Sequence, residues 1–219
     1  KSLGNTMTVS DQDFLERMYN DIYESIARDH YINEHSIEES PEARKKLTNL
    51  LNAFSTIHAA LDANLDLSEG DLKKIFTAAL GNRGTQYVAA YSQALKSNEY
   101  DAKKILADAM VSGLEYAAYV QTKHLVRDAV ARNGNDPNLP SKLDNLKSVL
   151  QDSFSDVGFK EALVGIGVKQ DAAELLSSAL SNVSNYRSLY GSSAAIGELL
   201  DSMAEAVDDI KTESERMPY

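Results

Sequence analysis

The chain has 219 residues, 43% of them hydrophobic, which is enough to bury a real core, and no low-complexity tract that would argue for disorder. It contains no cysteine, so disulfides and thiolate metal sites are excluded, and no apolar run approaches the roughly 18 residues of a membrane span. A formal net charge of −11, interrupted only by the short clusters Arg44-Lys45-Lys46, Lys73-Lys74 and Lys103-Lys104, opposes a long basic groove for a phosphate backbone, and no nucleic-acid partner is expected.

The periodicity predicts helices throughout and no strand. Ser10 with Asp13 reads as a capping pair for a helix over about 11–30, with Phe14, Leu15, Met18, Ile22 and Ile26 on one face. Ser40-Pro41 opens the next, because proline lacks an N–H where a helix start needs none. Its stripe is Leu47, Leu50, Leu51, Phe54, Ile57 and Leu61. Ser68 with Asp71 caps a short third helix carrying Leu72, Ile75, Phe76 and Leu80, and Gly81 ends it. Thr85 reads as the start of a fourth, with Tyr87, Val88, Tyr91 and Leu95.

From about Ala102 to Arg132 the pattern is helical without a strong stop, roughly 45 Å at 1.5 Å per residue. Ala109, Gly113 and Ala117 recur every four positions along it, which suits core packing against a closely approaching helix. The stretch "NGNDPNLPS", 133–141, is the clearest break. Ser141 and Asp144 are expected to cap a helix bearing Leu143, Leu146, Val149, Leu150 and Phe154. A short helix follows near 159–165, then one with Leu175, Leu176, Leu180, Val183 and Tyr186 inward and Gly191 as its stop. The last begins near Ser192 or Ser193 and runs to about Glu215. The expected architecture is all-α, about seven or eight helices with a long central one. It reads either as lobes over 1–132 and 142–219 joined by the 133–141 loop, or as one continuous domain.

No stretch carries a complete catalytic or cofactor signature. "DANLDLSEGDLKK" (62–74) resembles a calcium loop through Asp62, Asn64 and Asp66. Its sixth position is Leu67 where a sharp turn is needed, and its twelfth is Lys73 where a bidentate carboxylate belongs. "GNRGT" (81–85) lacks the GK[ST] ending of a phosphate loop, and "GIG" (165–167) follows a helical pattern rather than a strand. The acids and histidines of "DHYINEH", namely Asp29, His30, Glu34 and His35, form the one cluster from which a helical metal-dependent enzyme could be built. The two histidines are five apart, however, and do not share the helix face used by HExxH. Hence no cofactor and no metal are expected. Eleven tyrosines without a tryptophan are a further feature. Tyr87/Tyr91, Tyr116/Tyr119 and Tyr186/Tyr190 are spaced to share helix faces, which suits core margins or half-buried contact surfaces.

The final helix offers the sharpest expectation. Ile196, Leu200, Met203, Val207 and Ile210, with Leu199 beside them, form a narrow apolar strip among Glu198, Asp201, Glu205, Asp208 and Asp209. That spacing approaches two heptads of a coiled-coil seam. Burying five such side chains yields on the order of 8–15 kcal/mol, against an association cost of about 4–15 kcal/mol. Two copies pairing through 193–215 would therefore need added contacts. The expected dimer interface is Ile196, Leu199, Leu200, Met203, Val207 and Ile210, with packing inside the chain as the alternative.

A cysteine-free, acidic, all-helical chain ending in such a helix resembles the C-terminal domain of bacterial effectors that nucleate actin, the VopL/VopF type. The resemblance covers essentially the whole chain and rests on its length, helical content and terminal helix. It implies a non-enzymatic homodimer that holds actin subunits in a filament-like arrangement. The domain would belong to an effector secreted into the host cytoplasm, following WASP-homology-2 repeats that this chain lacks. Lys73-Lys74 and Lys103-Lys104 would be possible contributors to contacts with acidic actin. Lys1, with no signal-peptide pattern after it, fits a domain cut from a longer protein. A helical virion or secretion-apparatus component is the remaining alternative.

Overall fold

A computed structural model describes residues 7–191 and 193–216. Among them there is no strand. The helices are α1 (Val9–Ala27), α2 (His30–Glu34), α3 (Pro41–Asp62), α4 (Glu69–Leu80), α5 (Val88–Ser97), α6 (Glu99–Asn133), α7 (Leu139–Asp152), α8 (Asp156–Gly165), α9 (Gln170–Tyr190) and α10 (Ser193–Arg216), with a 3-10 segment at Gly81–Tyr87. The expectation of an all-α chain with a long central helix is met.

The chain forms two units. One holds the residues up to Asp29 together with Lys46–Leu114; the other holds His30–Lys45 and Glu115 onward. The division therefore falls inside α3 and α6, not at the 133–141 loop. The expected lobes 1–132 and 142–219 are corrected accordingly. A break in helical propensity marks where a helix ends, whereas a unit is defined by which faces bury one another, and two helices here serve both units.

In the first unit, α1 packs on α4 and α5, and α4 carries the 3-10 segment against it. The cap of α1 is Thr8, not Ser10. Thr8 Oγ1 accepts from the Asp11 backbone N–H at 3.2 Å and donates to the Asp11 carboxylate at 2.7 Å. The spacing of three was read correctly but two residues late. Ser68 and Asp71 form the expected reciprocal capping box, and Gly81 closes α4 at φ 68°. Thr85 does not open a helix. It sits within the 3-10 segment, and α5 starts at Val88.

Gly84 lets this segment lie close on α4: a Cβ at this position would stand 2.3 Å from the Phe76 carbonyl oxygen. Gly84→Ala must therefore displace backbone, and we expect it to destabilise the first unit by about 1–3 kcal/mol in urea titration. An unchanged midpoint would mean the segment is not held against α4. Gly113 likewise admits α1, since a Cβ there would lie 2.6 Å from Ile26 Cδ1. Tyr91 is fully buried and donates to the Ala102 carbonyl at 2.8 Å. Burial, and then the Glu99 charge, push its phenol well above the ordinary 10.0.

In the second unit, α10 packs on α7 and α9, and α8 packs on α9 and α7. The helix α7 begins at Leu139 with Pro140 in its first turn, so Ser141 lies inside it rather than capping it. Two ion pairs fix the direction of α10. Asp144 takes Lys211 at 3.1 Å, and one turn on, Lys147 takes Asp208 at 3.4 Å. As α7 advances α10 retreats, so the two are antiparallel. Leu139, Leu143, Leu146 and Leu150 form the buried face of α7, and Leu200, Met203, Val207 and Ile210 are buried on α10.

This corrects the reading of the terminal strip as a seam awaiting a second copy. Met203 is 0% exposed and Val207 1% within a single chain. Only Ile196 and Leu199, near the start of α10, are half-buried. The strip is covered within the chain, chiefly by the antiparallel α7 and partly by α9.

Candidate interaction surface

Four polar elements of the sequence reading find structural partners. The Asp29 carboxylate receives Lys46 Nζ at 3.1 Å. On α2, His30 Nδ1 pairs with the Glu34 carboxylate, and the His35 ring stands edge-on to that of His30 at 5.4 Å between centroids. So His30, Glu34 and His35 are brought together, while Asp29 is committed elsewhere. Among the described residues no group of three or more histidines and acids is arranged to hold a metal ion.

Lys103, expected as a surface cation, is 2% exposed. Its ammonium donates to the carbonyls of Ala60 at 3.3 Å and Leu65 at 2.8 Å and meets Glu99 at 2.8 Å. It thereby closes the C-terminal end of α3, where carbonyls lack helical partners. Lys104 is held by Asp108 at 2.9 Å. Lys73 and Lys74 remain exposed.

The sequence reading missed the polar centre of the second unit. The Glu38 side chain is fully buried. It receives Arg132 Nη1 at 2.8 Å, Arg132 Nη2 at 3.3 Å and the Lys169 backbone N–H at 2.6 Å. Arg132 Nη2 also donates to the Gly167 carbonyl at 2.8 Å. Gln121, 0% exposed, donates to the carbonyls of Ile32 and His35 and accepts from the Ile37 N–H. His124 Nε2 meets the Asn33 carbonyl at 2.6 Å. All four side chains have tasks in holding the α2–α3 connection, where buried backbone groups need partners. Their partners lie far away in sequence, so no local spacing could have announced them.

Exposed apolar side chains next to an open groove are found on α8. Ser155 caps it by accepting from the Gly158 N–H at 3.0 Å, which starts the helix three residues before the position expected. Phe159, Ala162, Leu163 and Ile166 are buried. At about 100° per residue they occupy one side. The opposite side presents Val157, Lys160, Glu161 and Val164, with Val157 56% and Val164 38% exposed. Thus α8 buries one side and on the other exposes two valines with Lys160 and Glu161 between them. Beside this stripe a groove of about 620 Å³ runs between α7 and α8, lined by Asn138, Ser141, Asn145 and Val149 on one wall and Gly158, Glu161 and Gly165 on the other. A side chain at Gly165 would meet nothing within 4 Å.

Comparison of the chain with family models, with curated proteins and with solved structures yields no match. No helix among the described residues is long and apolar enough to cross a membrane.

Proposed function

We propose that the chain is a helical dimerisation and protein-binding module. The observation that supports this reading is the α8 stripe. Val157 and Val164 stand in water on a helix whose other side is already satisfied, next to an open groove. Apolar side chains on the rim of an open groove offer a partner area to bury. The tyrosines add to it: Tyr116 is 38% exposed and Tyr119 lies under Lys123 Nζ at 5.2 Å, an apolar ring with a wet tip in each case.

The resemblance to actin-nucleating effectors gives the reading its concrete form. Two copies would hold actin subunits close together and in fixed orientation, raising effective concentration without making or breaking a bond. Exposed Lys73 and Lys74 are the basic contributors that this form retains, and Lys103 drops out because its charge is buried. The test is pyrene-actin polymerisation with the chain fused to actin-binding WASP-homology-2 repeats. The expected result is a lag shortened relative to the repeats alone. A lag equal to that of the repeats alone would remove actin organisation as the function.

A further inference from the structure

Of the chain's fourteen asparagines only Asn133 is followed by glycine. An asparagine holds an electrophilic carbon, its side-chain Cγ, within reach of the next backbone nitrogen, and a following glycine leaves that nitrogen unshielded by any side chain. Asn133 is the last residue of α6, and Gly134 stands in the turn beyond it, where a helix frays and its backbone opens most readily. Both residues are half-buried rather than enclosed, so water reaches them. The Asn133 amide also holds a neighbouring segment. Its Nδ2 donates to the Ile166 carbonyl at 3.2 Å, and it lies so close on Gly167 that a Cβ there would stand 2.3 Å from it. Beside it Arg132 Nη2 donates to the Gly167 carbonyl, and the Lys169 N–H donates to Glu38 at 2.6 Å. The end of α6 and Glu38 therefore clasp the turn between α8 and α9, and Asn133 supplies a neutral donor to that clasp.

We propose that Asn133 is a modification site, at which spontaneous deamidation unfastens the α8–α9 turn. The Gly134 nitrogen loses its proton to solvent base and attacks Asn133 Cγ. A C–N bond forms there, closing a succinimide ring, while the Cγ–Nδ2 bond breaks and ammonia leaves with a proton from water. Water then adds to either carbonyl of the ring. Opening on one side gives aspartate; opening on the other gives isoaspartate, with the side-chain methylene drawn into the backbone. The net change is one water taken up and one ammonia released, with no oxidant or reductant needed. Either product puts a carboxylate where the amide was. A carboxylate accepts but does not donate, so the Ile166 carbonyl loses its donor and meets an oxygen instead. The isoaspartyl product also lengthens the backbone just after Arg132, the other member of α6 in the clasp. Because ammonia is lost to solvent the step runs one way, and its extent records how often the end of α6 has opened.

Ageing the folded full chain in mildly alkaline buffer at physiological temperature, with peptide mass mapping of every asparagine, tests this. The Asn133 peptide should gain the mass difference between an amide and an acid at least about tenfold faster than any other asparagine. An isoaspartyl methyltransferase should label that peptide, and Gly134→Ala should slow its conversion by shielding the nitrogen. Release of the turn is read by hydrogen exchange at the Val168 N–H, bonded to the Leu163 carbonyl, and the Lys169 N–H, bonded to Glu38. Fresh Asn133→Asp, which imitates one product at nearly constant shape, should exchange both at least about tenfold faster than fresh wild type. Its melting temperature should fall by roughly 2–8 °C. Wild type aged to full conversion should exchange at least as fast as the variant, a reading that does not depend on the variant folding. Conversion at Asn133 no faster than at Asn135, which lacks a following glycine, would overturn the site. Full conversion with exchange at Val168 and Lys169 unchanged would overturn the unfastening.

Discussion

Met203→Glu is expected to unfold the second unit rather than release folded monomers. Met203 is 0% exposed on the face of α10 that packs on α7 and α9. The cations that α10 uses or contacts, Lys211 and Lys147, are already engaged by Asp144 and Asp208 on its half-buried flanks. Placing an unpaired charge in a packed core belongs to the class of substitutions that cost more than about 4–5 kcal/mol. Circular dichroism should register loss of helix, with a lower first transition on heating. Leu200→Glu, at a site 8% exposed near the end of the packed face, should act in the same direction and less severely. The contrary outcome, a fully helical protein whose only change is halved mass, would mean that the strip is a seam between chains after all.

Removing Arg132 should produce the next largest effect. Arg132→Ala leaves the Glu38 carboxylate, which has no exposed surface, with only the Lys169 N–H and the local packing around it. Glu38 is fully buried but the Arg132 side chain is 38% exposed, so the cost lies between that of a surface pair and the class of about 3–5 kcal/mol of a fully buried one, at about 1–3 kcal/mol. For a chain of this size that corresponds to a melting temperature lower by roughly 2–12 °C. Arg132→Lys should recover only part of it. A single ammonium cannot reproduce the two-toothed contact with Glu38 while also donating to the Gly167 carbonyl. Replacing Glu38 and Arg132 together with apolar residues of similar volume should be milder than Arg132→Ala, since no stranded charge is left behind. A loss below about 1 kcal/mol for Arg132→Ala, the range of surface pairs, would show that water reaches Glu38 readily and that the pair does not hold the 30–45 segment in place.

Much of the local structure was legible before any coordinates. The Ser68–Asp71 box, the stops at Gly81 and Gly191, the start at Pro41 and the run of α6 follow from capping chemistry and from a period near 3.6, both of which act over a few residues. The misreadings are also local and have local causes. Thr8 and Asp11 share the spacing of Ser10 and Asp13, so two equivalent caps competed. Thr85 reads locally as a helix start, whereas the 3-10 segment around it packs so closely on α4 that a side chain at Gly84 would meet the Phe76 carbonyl.

Local chemistry along the chain makes it helical, sets where most of its helices start and stop, and marks an apolar face on most of the longer ones. These are properties of neighbours along the backbone. Tertiary structure alone decided what each apolar face meets. Ile196 to Ile210 carried a strip that fits a second chain and α7 equally well, and only the antiparallel register set by Asp144–Lys211 and Lys147–Asp208 assigns it to α7. The same holds for Lys103, whose charge is drawn inside by two carbonyls across 38 and 43 positions of sequence. It holds again for α8, whose short apolar pattern looks wholly internal until packing shows which side is covered and which is left in water. Burial is a relation between distant segments, and periodicity can state that a face must be hidden without stating by what.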